Sequence, residues 1–560
     1  MIQHTLQPLC LGRPRFPADL VAQWPADIDT AEGWHRAVAA LGPEQACQRV
    51  QGEFAVALPL PDGRLMLAVD RFATRSLCWR LVGDTLHFAT RADTLADLVP
   101  TADIDLQAVF NYLYFHVIPS PRTVFQGVSR LPPGHLLLWQ AGTVQCAPYW
   151  TPAFSEPRTA DFPASASQFR TLLRDAVGHA LDGSQPACFL SGGTDSSTVA
   201  GMIREATGQP AHTYSIGFEA EGYDEMAYAR IAARHFGAQH HEYYVTPDDL
   251  VRSVPEVAAS YDQPFGNSSV LPAYYCARMA RDNGATRLLA GDGGDELFGG
   301  NSRYAKQRIF GMYDQVPGLL RKGLLEPVLQ QSPLGALPLA RKGRSYIEQA
   351  RVPMPDRLQP YNLLLRQGLS EIFTPGFLAQ VDTQAPLQQQ RQVWAAPTQA
   401  GALNRELAFD WRFTLAEADL PKVCGSTALA GISVGFPLLD TCLLDFSMQL
   451  PVDYKLKGLK LRWFFKEALR GFLPDEILTK KKQGFGLPFG VWAMRHKGLH
   501  QMASDSLRTF AERGIIRTAY VESLLKDRLK QHPSYFGEMV WILMMLEQWL
   551  RSNQRHGMRL

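Results

Sequence analysis

The sequence predicts an α/β protein with a β-rich N-terminal domain, a doubly wound parallel sheet and a helical C-terminal part. Three observations carry this prediction. Hairpin patterns stand in the first 90 residues, short apolar strands alternate with helices between residues 186 and 290, and helical periodicity dominates after Tyr304. A chain of 560 residues exceeds a single hydrophobic core, which agrees with more than one domain.

The N-terminal domain is predicted from paired strands. Segments 52–58 and 65–70 flank the turn Pro61-Asp62-Gly63, and a second pair flanks Gly83-Asp84. A polar linker that bears proline and serine follows this β-rich part. We therefore assign the two domains to residues 1–152 and 167–560.

The charge composition of the chain argues against nucleic acid and membranes as binding partners. The chain has 56 basic and 54 acidic residues, a balance that provides no field for nucleic acid or for membrane phosphates. We find no secretory signal and no run of the roughly 18 apolar residues that a membrane span requires, so we expect a cytoplasmic protein. Eight cysteines without C-x-x-C pairs predict free thiols rather than zinc ligands or disulfides.

The parallel sheet is predicted from a βαβ series. Apolar segments of strand length alternate with helices that end at Gly237 and Gly284. Ligands of such sheets bind at the carboxyl ends of the strands, so the loops that follow them are candidate sites. Strands are expected at residues 186–190, 213–218, 242–245 and 287–290.

The loop after the first of these strands predicts a phosphate site. It reads Ser191-Gly192-Gly193-Thr194-Asp195-Ser196-Ser197. Glycines permit a tight turn and close ligand approach, and the following helix presents unpaired backbone N–H groups, which together favour an anion. Asp195 would repel a bare phosphate, so it predicts Mg²⁺ between the carboxylate and the phosphate. An ordinary serine- and glycine-rich helix cap is the alternative interpretation.

The loop after the last strand predicts a second half of the same site. It reads Gly291-Asp292-Gly293-Gly294-Asp295-Glu296 and ends at Gly299-Gly300. Clustered glycines and carboxylates cost stability, which a metal and a phosphate-bearing ligand can offset. The loop lacks the ligand spacing of a calcium-binding loop. Because both loops follow strands of one sheet, Asp195 and Asp295 are expected to share Mg²⁺ over ATP.

The first loop resembles the SGGxDS pyrophosphate loop of ATP pyrophosphatases, and the whole chain resembles the asparagine synthetase family. This resemblance implies a truncated Ntn-glutaminase-like domain before an ATP-pyrophosphatase domain. It also implies that ATP adenylates a carboxylate, which an amine then attacks to form an amide. Besides both loops, the matching motifs are Leu131-Pro132-Pro133-Gly134-His135, Ser215-Ile216-Gly217-Phe218, Phe436-Pro437-Leu438-Leu439-Asp440 and Lys482-Gln483-Gly484-Phe485-Gly486.

The resemblance implies roles for individual residues. Asp195 and Asp295 would bind magnesium, and Asp292 stands where the family usually has a catalytic glutamate. Lys482 matches the lysine that stabilises phosphate charge as pyrophosphate leaves. The other residues expected to contact the nucleotide are Leu190, Ser191, Gly192, Gly193, Ser196, Ile216 and Gly291.

Two departures from the family concern the substrates. Members that hydrolyse glutamine begin Met-Cys-Gly, whereas position 2 is Ile2, and Cys10 could serve only after cleavage behind Leu9. We therefore expect no glutaminase activity. Where aspartate-using relatives read roughly S-L-E-x-R, this chain has Gly431-Ile432-Ser433-Val434-Gly435, which predicts an opened pocket and a different or larger substrate.

Three further features have competing interpretations. Tyr261 could partner Asp292 as an acid/base dyad, or it could be a buried tyrosine that satisfies a backbone carbonyl. Lys480 and Lys481 are expected to be solvated. His240-His241 could bind a metal, but neighbouring strand residues point to opposite faces.

The sequence favours an ATP-dependent amide ligase that lacks a glutaminase. A large carboxylate-bearing substrate such as a precursor peptide would make it similar to lasso-peptide cyclases, with a partner protease, or to β-lactam synthetases. The alternative is an asparagine synthetase that uses free ammonia. A non-catalytic relative is disfavoured because the predicted magnesium ligands are present. A thiolating or tRNA-modifying pyrophosphatase is also disfavoured, because it would require a reactive cysteine or a basic face and neither is evident in the sequence.

Overall fold

A computed structural model describes residues 3–4, 7–98, 103–220, 222–314, 346–359, 362–481 and 486–553. Lys482 lies outside these ranges, so its role stays a prediction from sequence. None of the described helices is both long and apolar enough to cross a membrane.

The N-terminal part contains two antiparallel sheets, ordered β2-β3-β4-β8-β9 and β1-β6-β5-β7. Leu67 of the first sheet and Phe88 of the second lie in one shared core, while Met66 packs on the other face with Trp34. Both predicted hairpins are confirmed. The strands are β1 Gln3–His4, β2 Leu9–Gly12, β3 Phe54–Pro59, β4 Leu65–Val69, β5 Cys78–Val82, β6 Thr85–Ala89, β7 Ser129–Arg130, β8 His135–Gln140 and β9 Thr143–Pro148.

The second part contains a five-stranded parallel sheet in the order β12-β11-β10-β13-β14. Cys188 and Leu289 pack with the helices Thr194–Thr207 and Met226–Phe236, while Leu288 packs on the opposite face. Helices cover both faces, so the predicted doubly wound sheet is confirmed. The strands are β10 Ala187–Phe189, β11 His212–Phe218, β12 Gln239–Val245, β13 Arg287–Leu289 and β14 Ser433–Gly435.

Helices supply most of the remaining described structure, together with the short hairpin β15 Leu456–Lys457 and β16 Lys460–Leu461. Those of the first part are Ala18–Val21, Thr30–Leu41, Pro43–Arg49, Ala92–Ala96 and Leu106–Phe115. Those that surround the parallel sheet are Phe162–Ala180, Thr194–Thr207, Met226–Phe236, Pro247–Ser260, Val270–Asp282, Gly294–Phe298 and Ser302–Asp314. Those of the C-terminal part are Leu363–Gln367, Leu369–Ile372, Pro375–Leu378, Ala385–Ala395, Ala402–Asp410, Leu420–Ala430, Thr441–Gln449, Val452–Lys455, Trp463–Ala468, Asp475–Thr479, Phe489–Arg495, Lys497–Glu512, Thr518–Ser523, Leu529–Gln531 and Pro533–Asn553. Short 3-10 helices lie at Asp356–Leu358 and Pro437–Leu439, and π-helical segments lie at Trp411–Asp419 and Leu524–Arg528.

Buried ion pairs join the two parts. Glu417 of the C-terminal part accepts hydrogen bonds from the Ser120 hydroxyl at 2.6 Å and from Arg130 at 2.7 Å. Arg287 of β13 donates to Glu53 at 3.0 Å. Because a buried charge is costly without its partner, these pairs fix how the N-terminal sheets sit on the parallel sheet.

Candidate active site

The first loop has the backbone of an anion site. Gly192 has a φ of 69°, and a Cβ added there would lie 2.4 Å from the backbone nitrogen of Ala229, so a larger residue would not fit. The hydroxyls of Ser191 and Ser196 contact each other at 3.1 Å. The N-cap of the helix that starts at Thr194 is Gly193, which has no side chain to accept hydrogen bonds from the first N–H groups. The first N–H groups of this helix are therefore available to an anion.

Glycines of the second loop let it pack directly on the first. A Cβ on Gly291 would lie 2.8 Å from the backbone nitrogen of Ser196. A Cβ on Gly294 would lie 2.0 Å from Oδ1 of Asp195. The two loops that were predicted to meet at the strand ends are thus in contact, and glycine is what allows the contact.

One arginine joins the carboxylates of the two loops. Nη1 of Arg462 donates to Oδ2 of Asp195 at 2.8 Å and to Oδ1 of Asp295 at 2.7 Å. Its side chain is only 6% exposed. Sequence reasoning missed Arg462, since it lies far along the chain from both loops and stands in a short basic run without a motif.

The two carboxylates fit a divalent cation that phosphates help to hold. Among the described residues, no group of three or more His, Cys, Asp or Glu side chains could form a metal cage. Mg²⁺ rarely needs such a cage, because one or two carboxylates usually bind it together with the phosphates of a substrate. Asp195 and Asp295 meet this requirement.

Asp292 faces a lysine that the sequence analysis did not identify. Nζ of Lys422 lies 3.5 Å from Oδ1 of Asp292 and 3.0 Å from Oδ1 of Asp419. Burial raises the pKa of Asp292, and the ammonium of Lys422 offsets part of that rise. Burial alone would lower the pKa of Lys422, but the two aspartates outweigh it and raise this pKa. Asp292 is consequently a stronger base than an ordinary carboxylate, held beside a fixed positive charge.

Glu296 is a second carboxyl group with a perturbed pKa. Burial raises its pKa well above the usual range, and the nearby Asp295 and Asp419 add to the rise. Its backbone carbonyl accepts a hydrogen bond from the Trp411 indole at 2.9 Å. The site therefore contains two carboxyl groups, Asp292 and Glu296, whose pKa values are raised by burial.

Tyr261 does not act on Asp292 directly. Its hydroxyl donates to the backbone carbonyls of Pro421 at 3.2 Å and Lys422 at 3.3 Å. The ring stacks on Phe265 with centroids 4.6 Å apart. These contacts agree with the interpretation as a tyrosine that satisfies a backbone carbonyl, although the side chain is half-buried rather than buried.

The prediction of a solvated Lys480 is wrong. Its side chain is 8% exposed, its Nζ lies 2.7 Å from Oε1 of Glu225, and it also sits 4.6 Å above the ring of Tyr228. Lys481, in contrast, is exposed. Three consecutive lysines in the sequence do not indicate which of them is buried, because Glu225 and Tyr228, the partners of Lys480, lie elsewhere in the chain.

A cavity of about 1110 Å³ extends over both loops. Lys422, Arg462 and Lys480 line it together with Glu296. Gly192 is not part of its lining and packs instead against the backbone of the helix Met226–Phe236. The sequence-predicted site residues that line the cavity are Leu190, Ser191, Gly193, Asp195, Ser196, Ile216, Gly291, Asp292 and Asp295.

The segment that departs from the aspartate-using pattern does not open this cavity. Ser433 and Gly435 belong to β14 and are not among the residues that line it. A Cβ on Gly435 would lie 2.7 Å from Nη2 of Arg287, so that guanidinium occupies the space a side chain would need. The prediction of an opened pocket is therefore wrong at these positions.

All eight cysteines are free thiols. Burial raises the pKa of Cys10 to about 11, and the pKa of each other thiol is also raised by burial. Cys10 lies within β2, opposite Val56 of β3. Thiols of this kind stay protonated near neutral pH and are poor nucleophiles.

The two neighbouring histidines do not form a metal pair. His240 contacts the Thr213 hydroxyl at 2.9 Å through Nδ1, whereas His241 stacks on Tyr214 with centroids 4.9 Å apart. They lie on opposite faces of β12, as the alternation of strand side chains requires.

Comparison with known proteins identifies the family. The Asparagine synthase family model matches residues 168–551, and the Glutamine amidotransferase domain model matches residues 21–150. Asparagine synthetase [glutamine-hydrolyzing] 1 of Bacillus subtilis is 23% identical over 518 residues, which cover 91% of this chain and 79% of that protein. A putative asparagine synthetase [glutamine-hydrolyzing] of Mycobacterium bovis is 26% identical, covering 98% of this chain and 87% of that protein. The chain therefore belongs to the asparagine synthase family and is an ATP-dependent carbon–nitrogen ligase.

Proposed function

We propose that this ligase adenylates a carboxylate on a large substrate, such as a precursor peptide, and closes a macrolactam with an amine of the same molecule. The observation that carries the proposal is the cavity of about 1110 Å³. Pockets for a single small ligand usually measure about 300–1,000 Å³. The cavity reaches from the two nucleotide loops to Lys422 and to Lys480, which leaves room for a second substrate beside ATP.

The nucleotide is placed by the two loops. Leu190, Ile216 and Gly291 flank the adenine and ribose, while the serines and backbone N–H groups of the first loop hold the phosphates. Asp195 and Asp295 would hold the divalent cation, which would neutralise charge on the phosphates. A substrate carboxylate oxygen attacks the α-phosphorus, the bond to the β-phosphate oxygen breaks, and pyrophosphate leaves. In this proposal Arg462 stabilises its charge, and Lys482 has the same role by its match to the family motif.

Amide formation takes place at the Asp292 side of the cavity. The amine nitrogen attacks the acyl carbon, AMP leaves with the former carboxylate oxygen, and Asp292 accepts the proton that the amine loses. The raised pKa of Asp292 suits this step, because a general base works best when its pKa approaches the working pH. Lys422 keeps Asp292 oriented and ionised between turnovers.

The amine in this proposal does not come from glutamine. A glutaminase of this family needs an activated cysteine, whereas burial raises the pKa of Cys10 and of the other seven thiols. A peptide substrate would carry its own amine at the N-terminus. A partner protease that cuts a precursor would expose that amine.

The second candidate is asparagine synthesis from aspartate and ammonia. It is favoured by the names of the relatives, which are asparagine synthetases. It is also compatible with the structure of β14, because Ser433 and Gly435 do not enlarge the cavity.

Carboxylate-dependent exchange of labelled pyrophosphate into ATP distinguishes the candidates. The exchange should be slow with free aspartate and rapid with synthetic peptides that carry Asp or Glu downstream of a free N-terminus. The product should be lighter than the peptide by one water. Rapid exchange with aspartate and formation of asparagine from ammonium would instead establish the second candidate.

A variant of the proposed base separates the two half-reactions. Asp292→Asn should keep most of the exchange, because adenylation needs no deprotonated amine, yet lose roughly 10²–10⁴-fold in amide formation. Asp282→Asn, an exposed aspartate at the end of the helix Val270–Asp282, is the matched control. Equal loss of both activities in Asp292→Asn would place that residue among the nucleotide ligands.

A further inference from the structure

Arg462 holds the same carboxylates that the proposed function assigns to the divalent cation. Its Nη1 donates to both Asp195 and Asp295, and its Nη2 makes a second bond to Asp195. One guanidinium therefore binds Asp195 in bidentate fashion and reaches Asp295 with the same nitrogen. Bidentate, charge-assisted pairs of this kind are among the strong hydrogen bonds that an arginine makes with a carboxylate.

The surrounding structure fixes this arrangement. Arg462 has a φ of 53°, an uncommon backbone for a residue other than glycine. Its backbone N–H donates to the carbonyl of Lys455 at 2.8 Å, and its guanidinium lies 4.2 Å from the ring centre of Phe465. A Cβ on Gly300 would lie 1.7 Å from Oδ1 of Asp295, so this glycine is what admits the carboxylate. A strained residue held from several sides is typical of a functional contact.

A cation and a guanidinium compete for one set of oxygens. Mg²⁺ binds carboxylate oxygens at about 2.0–2.1 Å and in nearly octahedral geometry. A guanidinium that donates to the same oxygens blocks those positions, and it brings a positive charge close to the metal. Two carboxylates cannot fully serve both at once.

We propose that Arg462 and the divalent cation are alternative partners of Asp195 and Asp295, and that the cation binds tightly only when nucleotide phosphates take over the Arg462 guanidinium. The inference rests on the proposed cation position. It predicts that the metal enters as the metal–nucleotide complex. Phosphate oxygens bind arginine in the same bidentate manner as carboxylates, so the guanidinium loses no interaction in the exchange.

Binding of Mn²⁺, followed by its electron paramagnetic resonance signal, tests this competition. The wild-type protein should bind Mn²⁺ weakly alone and at least about tenfold more tightly with α,β-methylene-ATP, which cannot be cleaved at the α–β position. Arg462→Met should bind Mn²⁺ alone at least about tenfold more tightly than wild type, while its affinity for the nucleotide analogue falls. Arg462→Lys, which keeps the charge without the fork, should lie between them.

Thermal unfolding provides a readout that does not require activity. Arg462→Met leaves two adjacent carboxylates without their shared guanidinium, so we expect a lower midpoint that Mn²⁺ restores, whereas Mn²⁺ alone changes the wild-type midpoint little. Arg470→Met, at an exposed arginine paired with Glu467, should respond like wild type. Tight Mn²⁺ binding to wild type without nucleotide, or equal Mn²⁺ binding by wild type and Arg462→Met, would overturn the competition. Failure of pyrophosphate exchange with intact competition would overturn the proposed function alone.

Discussion

At the scale of single residues, the site is a set of charges that compensate one another. Arg462 compensates Asp195 and Asp295, and Lys422 compensates Asp292 and Asp419. Each cation lies on a different element from the aspartates of the two loops. A substitution at any of these positions therefore removes one charged group and also leaves the charge of its partner uncompensated.

Asp195 and Asp295 are expected to be required for adenylation. Asp195→Asn or Asp295→Asn should reduce pyrophosphate exchange by more than roughly 10²-fold, because the cation over the phosphates loses a ligand. Exchange at saturating Mg²⁺ and ATP measures this effect. Asp175→Asn, an exposed aspartate of the helix Phe162–Ala180, should leave it unchanged. A variant with wild-type exchange would remove that carboxylate from the metal site.

Lys422 is expected to set the acid limit of amide formation. Its ammonium favours the ionised form of Asp292, and burial opposes that form. In Lys422→Met the pKa of Asp292 should rise further. As the pH is lowered, the rate of amide formation should therefore begin to fall at a higher pH in this variant than in wild type. The pH profile of amide formation measures this shift. Lys526→Met, at an exposed lysine, is the control, and an unshifted profile in Lys422→Met would show that Asp292 is not the base.

At the scale of elements, the buried Lys455 connects the interdomain linker to the site. Its Nζ donates to Asn404 at 2.7 Å, and Asn404 in turn donates to Glu156 of the linker at 2.8 Å. The carbonyl of Lys455 accepts the backbone N–H of Arg462. Within the described part of the chain no carboxylate forms an ion pair with Lys455, so its charged form is costly to bury.

Lys455 should make the free energy of unfolding depend on pH. Burial lowers its folded pKa to about 7, whereas an unfolded lysine has a pKa of about 10.4. Below both values the amine is charged in both states. Between them the unfolded chain binds more protons, so the contribution of this group to stability rises with pH. The difference in unfolding free energy between wild type and Lys455→Met should therefore rise by at most about 1.4 kcal/mol per pH unit between pH 7 and 10.

Denaturant unfolding at several pH values measures this difference. Subtracting the variant from wild type removes the thiols, whose raised pKa values act with the opposite sign in the same range. Lys497→Met, at an exposed lysine, should follow the wild-type curve. A constant difference between wild type and Lys455→Met would show that Lys455 stays charged in the folded protein over the whole range.

The elements that sequence predicts best are those whose signal is local. Both glycine-rich loops and the strands before them are specified by contiguous residues, and the structure has them where expected. Strand β14 was missed because it has three residues and joins the sheet from the far end of the chain. Arg462 and Lys422 were missed for the same reason, since their partners are fixed by the fold and leave no spacing to recognise.

At the scale of the whole molecule, the residues of β14 that differ from those of aspartate-using relatives lie at the contact between the two domains. Gly435 leaves room for Arg287, whose guanidinium donates to Glu53 in the N-terminal part and lies 3.4 Å from the Ser433 hydroxyl. The residues that were predicted to open a substrate pocket therefore accommodate an arginine that holds the two parts together. The loss of charged side chains at 431–435 was assigned to the substrate pocket, although Arg287 occupies the space beside Gly435. Sequence alone does not show which neighbouring side chain occupies such a space.

The last prediction concerns the nitrogen source. Burial raises the pKa of Cys10, which lies in β2 opposite Val56, to about 11, so the thiolate that would attack glutamine is scarce near neutral pH. Glutamine incubated with the protein, ATP and Mg²⁺ should therefore yield no glutamate above a control without protein. Cys10→Ala and Cys146→Ala, a second thiol outside the core, should behave like wild type. Glutamate that forms with wild type and disappears in Cys10→Ala alone would identify Cys10 as a nucleophile and would make ammonia, rather than a peptide amine, the expected acceptor.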